Sequence, residues 1–192
     1  MTVNLLKGQK VDLTKTNPGL TNIVVGLGWD TNKYSGGNDF DLDSSVFLLN
    51  GASKCASEKD FVFYNNTVGG NGSVEHHGDN RTGAGDGDDE QVTVNLTNVP
   101  ASVERIAFAI TIHEADARNQ NFGQVSNSYV RILNETNGEE LLRYDLGEDF
   151  SIETSVVVGE LYRHNGEWKF NAIGSGYQGG LISLVRDYGL DA

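Results

Sequence analysis

The sequence predicts an all-β fold, an antiparallel β-sandwich with a short C-terminal helix. Three observations carry this. The apolar segments are short, rich in Val, Ile, Phe and Tyr, and bounded by Gly, Asn, Asp and Ser. Two Asn-Gly pairs join such segments as hairpin turns. One stretch near the C-terminus carries apolar residues at helical spacing.

In chain order the predicted strands cover residues 10–14, 22–29, 40–49, 61–64, 92–96, 105–113, 128–134, 140–146, 154–164 and 167–173. Val92, Val94 and Leu96 alternate with Thr93 and Asn95, which puts the apolar set on one face of a strand. Asn137-Gly138 links the seventh and eighth segments, and Asn165-Gly166 the ninth and tenth. Ala101–Glu104 and Glu114–Asn119 are each long enough for one helical turn. Residues 177–188 form the predicted helix, with Leu181, Leu184, Val185 and Tyr188 in one stripe and Gly189 as its stop. Only two prolines, Pro18 and Pro100, occur, and no linker divides the 192 residues, so one domain over 1–192 is expected.

Two short stretches hold nine of the 27 acidic residues. The first contains Asp30, Asp39, Asp41 and Asp43; the second contains Asp79, Asp86, Asp88, Asp89 and Glu90. Lys33 and Arg81 are the only bases among them. Carboxylates at this density repel unless solvated or neutralised by a cation, and oxygen-only ligand sets suit hard divalent ions. In Asp39-Phe40-Asp41-Leu42-Asp43, strand geometry lines the three carboxylates along one face, with Phe40 and Leu42 facing the core. In the second stretch Gly78, Gly83, Gly85 and Gly87 interleave with the acids. Glycine lets main-chain carbonyls turn inward, and calcium takes about 6–8 oxygens, several of them commonly carbonyls. Magnesium, strictly octahedral and reluctant to lose water, fits such loops less well. Neither stretch is an EF-hand: Arg81, Gly83 and Ala84 break the pattern in one and Ser44 in the other. The better picture is two loops at one end of a sandwich converging on one or two ions.

The net charge of −13 disfavours nucleic acid and, without a bound cation, an anionic membrane. Cys55, the only cysteine, excludes a disulfide framework or a zinc cluster; its Lys/Ser/Glu-rich surroundings are compatible with an exposed loop. Gly174–Gly179 matches G-x-G-x-x-G, but no second strand can follow, so it reads as a tight strand-to-helix turn. His113-Glu114 lacks the second histidine of a zincin motif, and His113 is expected to end a strand. His76, His77 and His164 form no ligand spacing. Trp29 and Trp168 read as core or rim aromatics.

GLGWD (26–30), DFDLD (39–43), FVFYNN (61–66), GDNRTGAGDGDDE (78–90), ITIHEADARNQNFGQV and GELYRHNGEWKF (159–170) together resemble the TerD family of bacterial tellurium-resistance and stress-response proteins. The resemblance spans essentially the whole chain. It implies a calcium-binding β-sandwich with two neighbouring Ca2+ sites, associated with resistance to tellurite, phages and colicins. Carried over position by position, the implied ligands are Asp39, Asp41, Asp43, Asp79, Asp86, Asp88, Asp89 and Glu90, with Asp30 and Asn66 as further members. The expected role is non-enzymatic, through other tellurium-resistance proteins or calcium-bridged contact with the inner membrane surface. The N-terminus lacks a secretory apolar run and no apolar stretch is long enough to cross a bilayer, so a cytoplasmic place is expected. The alternative is a metal-dependent phosphoesterase-type hydrolase, for which only His113 and Glu114 can be nominated. Direct chemistry on tellurium oxyanions is disfavoured by the charge and by one cysteine and one methionine as the only soft ligands.

Overall fold

A computed structural model describes residues 1–31, 40–78, 87–147 and 150–192. Thirteen strands are described: β1 (Val3–Leu5), β2 (Lys10–Asp12), β3 (Asn22–Thr31), β4 (Leu42–Leu49), β5 (Phe61–Val62), β6 (Val68–Gly69), β7 (Val74–His76), β8 (Glu90–Asn95), β9 (Arg105–Ile112), β10 (Val125–Asn134), β11 (Glu140–Asp145), β12 (Ser155–His164) and β13 (Glu167–Tyr177). Two helices accompany them, α1 (Ala115–Arg118) and α2 (Gly180–Asp187). The first sheet runs β1-β11-β10-β3-β8-β7-β6 and the second β2-β13-β12-β9-β4-β5. The two sheets face each other across one core. The expected sandwich is therefore present.

Side-chain alternation builds two cores. Ile23, Val25, Leu27 and Trp29 of β3 meet Leu42, Val46 and Leu48 of β4 between the sheets. The intervening Phe47 and Leu49 point out of the second sheet, and α2 covers them with Leu184 and Val185. That is why all eight residues of β4 are buried. The stripe Leu181, Leu184, Val185 and Tyr188 faces this second core as expected. Gly189, at φ +85°, then stops the helix, its N–H bonding the Arg186 carbonyl at 2.9 Å.

Several elements differ from the sequence expectation. β1 is an added strand and pairs parallel with β11, so the first sheet is not wholly antiparallel. β6 and β7, only two and three residues long, are likewise additional to the expected strands. The expected strand over 61–64 is shorter: β5 ends at Val62, and Phe63 bridges Asn66 across a turn at residues 64–65. β13 continues through Ser175 and Gly176 to Tyr177, paired with β12, so most of the G-x-G-x-x-G run is strand and the helix starts only at Gly180. Residues 101–104 make turns and no helix. At the His164–Glu167 hairpin Asn165 and Gly166 both have positive φ, 53° and 77°, as a type I′ turn requires. At the other pair only Gly138 does, at 71°.

Cys55 is buried beside the second core, contrary to an exposed loop position. Burial, with Asp60 second, pushes its thiol up to about 12, so it stays protonated and unreactive. Trp29 and Trp168 are buried, and the Trp168 indole N–H reaches the Leu96 carbonyl at 3.1 Å.

The second core hangs on one short helix. Leu184→Ala is expected to cost about 2–5 kcal/mol in urea unfolding. A loss under 1 kcal/mol would show that α2 adds little to the fold.

Candidate metal centre

The end of β3, the start of β4 and the start of β8 lie together, and most of the described candidate acids stand there. Glu90 opens β8 opposite Leu27 and turns its side chain between the sheets. Its Oε2 accepts the Ser44 main-chain N–H at 2.7 Å, which ties the first sheet to the second. His76 Nε2 lies 3.1 Å from the same oxygen and 2.8 Å from Ser44 Oγ. Glu90 Oε1 is buried and has no hydrogen-bond partner among the described residues; Asp41 Oδ1 is in the same condition. Asp43 is buried on the outward face of β4, the side of Phe47 and Leu49, with Leu42 on the core side. The expected sidedness of Leu42 and Asp43 is thus observed, while Asp39 lies outside the described residues.

Asp88 is handled differently. It sits on the outer face of the first sheet with its side chain fully buried. Arg131 clasps it through Nε to Oδ1 at 2.7 Å and Nη2 to Oδ2 at 3.0 Å. Tyr129 Oη donates to Oδ1 at 2.9 Å and Gln91 Nε2 to Oδ2 at 2.9 Å. Two glycines make the space. A Cβ on Gly26 would stand 2.2 Å from Asp88 Oδ2, and one on Gly28 would stand 2.3 Å from the Tyr129 ring. The Arg143 guanidinium lies over that ring at 3.9 Å from its centroid. The hydrogen bond to Asp88 is the leading cause that raises the Arg131 pKa, and burial the leading cause for the Tyr129 phenol. Both Asp88 oxygens thus carry protein donors, and the carboxylate anchors the chain just before β8.

Asp89 lies at the rim. Its Oδ2 accepts the Trp29 N–H at 2.7 Å, and its own N–H bonds the Leu27 carbonyl at 2.8 Å. Burial, and then repulsion from Asp30, Glu90 and Asp88, hold its carboxyl above the usual carboxylate range against the pull of the Trp29 bond. Exposed Asp30 accepts the Asn127 amide at 2.7 Å. Asp30, Asp89, Gly87 and Asn127 line one cavity of about 380 Å³.

Asn66 is not part of this grouping. Its amide donates to the Phe61 carbonyl at 2.6 Å and braces a turn, lining a separate depression with Lys59, Asp60 and Gly70. Asp79 and Asp86 lie outside the described residues. Among the described residues no three His, Cys, Asp or Glu side chains are grouped closely enough to hold an ion by themselves. The donors present are all hard oxygens, two of them buried without a partner, and they suit calcium in kind. His113 follows β9 without belonging to it, and its ring stands 3.9 Å from Glu114, both side chains being substantially exposed. The sequence reading takes Ser44 only as a break in an EF-hand pattern and His76 only as a histidine without ligand spacing, and gives Tyr129 and Arg131 no role. The available signals were a polar Ser-Ser pair in an apolar strand and two glycines on one face of β3.

This is an acidic β-sandwich with carboxylates gathered at one end. The chain belongs to the TerD family: the TerD domain matches residues 1–188. It is 73% identical over 190 residues to general stress protein 16U of Bacillus subtilis, covering 99% of this chain and 98% of that one. It is 54% identical over 192 residues to tellurium resistance protein TerD of Serratia marcescens, covering 100% of both. Among solved structures, a homologue of telluride resistance protein from Streptomyces coelicolor shares the fold with a TM-score of 0.69 at 24% identity, over 86% of this chain and 95% of its own.

Arg131→Met leaves Asp88 buried without its counter-charge and is expected to cost about 3–5 kcal/mol in denaturant unfolding. An effect under 1 kcal/mol would show that water reaches Asp88. Asp89→Asn keeps an acceptor for the Trp29 N–H and removes the repelled charge. A folded pKa above the unfolded one means that stability falls as pH rises through the interval between them, and the penalty persists at neutral pH. The variant should therefore melt higher than the wild type in chelator at pH 7, and an unchanged or lower midpoint would contradict this.

Proposed function

We propose that this chain is a calcium-binding, non-enzymatic stress-response module that acts through partner proteins or a membrane surface. The observation carrying this is that two buried carboxylate oxygens at the acid-rich end, Glu90 Oε1 and Asp41 Oδ1, find no hydrogen-bond donor among the described residues. A buried ionised oxygen without a donor is costly, and a cation supplies the missing partner. The raised Asp89 carboxyl adds support, since a bound cation relieves the repulsion from its neighbours.

Glu90, Asp41, Asp89 and Asp30 are the described residues that would contribute oxygens, with Asp39, Asp79 and Asp86 completing the set from outside the described residues. Asp43, two residues beyond Asp41, would extend the set from the outward face of β4. Asp88 holds its place through Arg131 and serves as the anchor. When bound, calcium supplies positive charge: two ions bring four units against a net −13. The loaded rim then loses its self-repulsion and can meet an acidic or anionic partner that the bare rim repels.

The relatives' names connect such proteins with tellurium resistance and general stress. Direct capture of tellurium by soft ligands finds little support here, because Cys55 is buried and protonated. Among the described residues no helix is long and apolar enough to cross a membrane, which favours contact from outside the bilayer over spanning it by a helix.

Calorimetric titration of the full chain should show two calcium sites and weak or absent magnesium binding. At calcium about 100 times the dissociation constant, a site adds about 2.7 kcal/mol, which raises the midpoint by about 5–10 °C for a chain of this size. Coincident heat scans in calcium and in chelator would sink the proposal. Hydrolysis of a phosphodiester on adding metal would overturn its non-enzymatic half.

A further inference from the structure

His76 is a buried imidazole that the reading above leaves without a task. It ends β7, its side chain is 1% exposed, and it touches both sheets. The Gly78 main-chain N–H points at His76 Nδ1 from 3.0 Å. A main-chain N–H can only donate, so Nδ1 must be the bare nitrogen and Nε2 must carry the proton. That proton has two acceptors, Ser44 Oγ at 2.8 Å and Glu90 Oε2 at 3.1 Å. The arrangement is not a hydrolytic triad, because serine and carboxylate both lie on Nε2 and none lies on Nδ1.

The effect falls on Glu90. Its Oε2 is loaded with the Ser44 N–H and the His76 N–H, while Oε1 has no donor among the described residues. Two donors on one oxygen fix the carboxylate's rotation in a buried place, and the other oxygen is left for an outside partner. We propose that His76 is a positioning residue that holds Glu90 with Oε1 available to a divalent cation. This rests on the calcium reading above and adds to it a residue that touches no metal. It also explains why a histidine is buried between two sheets beside a carboxylate and a serine: its planar ring reaches Gly78 with one nitrogen and Glu90 with the other, which an aliphatic side chain cannot do.

The test separates the two nitrogens. His76→Gln can place an N–H near the Nε2 position, whereas His76→Asn can keep only an acceptor near Nδ1. Calorimetric calcium titration of the full chain should find one site weakened about 10–100-fold in His76→Asn, the usual cost of losing a partner that orients a ligand, and largely restored in His76→Gln. In a Glu90→Gln background His76→Asn should cost nothing further. Unchanged affinity in His76→Asn, equal losses in both variants, or additive losses with Glu90→Gln would each overturn the role. Ser44→Ala keeps the main-chain N–H on Glu90 and gives the whole Nε2 proton to Oε2. It should bind calcium at least as tightly as the wild type, and a tenfold loss counts against the proposal. Side-chain nitrogen NMR of the calcium-free protein reads the tautomer directly: an Nε2–H ring is expected, and an Nδ1–H ring refutes the geometry whether or not calcium binds. Wild-type chain that binds no calcium while showing the Nε2–H tautomer would remove both the metal reading and this role.

Discussion

A carboxylate taken out of water must find a counter-charge, donors or a cation, and the end of the sandwich where β3, β4 and β8 meet is arranged around that need. Three consecutive acids meet it in three ways. Asp88 is saturated by Arg131, Tyr129 and Gln91. Asp89 holds a main-chain N–H at the rim and is pressed by its neighbours. Among the described residues Glu90 is satisfied on one oxygen only. A fully partnered buried charge is a structural element, whereas a half-partnered one is a place where something else can bind.

The bend before β8 makes this division. In a regular strand Asp88 and Glu90 would share a face. Here Asp88 lies over Gly26 on the outside of the first sheet, while Glu90 turns inward to Ser44. The two glycines of β3 are the complement of that bend. Alternation sends Val25, Leu27 and Trp29 into the core and leaves Gly26 and Gly28 on the outer face, where a methyl group would collide with the Asp88 carboxylate or the Tyr129 ring. A side chain of any size there would force the anchor away.

Much of the fold was legible because its signals are local. Strand alternation, the Asn165-Gly166 turn and the stripe of α2 each depend on residues a few positions apart. β1, β6 and β7 are not legible, because two or three residues carry no measurable periodicity. The burial of Cys55 is not legible, because its polar sequence neighbours say nothing of α2 folding over it from far along the chain. At the candidate site the acids themselves were legible as an excess of charge. Their different states were not, because the partners that decide them are distant in sequence: Arg131 stands 43 residues from Asp88 and Ser44 stands 46 from Glu90.

The sequence by itself determined the class of fold, the single α2 stripe and the concentration of oxygen ligands in two stretches, since side-chain period and charge density are properties of neighbouring residues. Only the tertiary structure decided which carboxylates are spent on the protein's own donors and which are left open, and that a buried histidine stands between the sheets to hold one of them. The reason is physical: the state of a buried charge depends on what surrounds it in space, and most of what surrounds Asp88 and Glu90 comes from other strands.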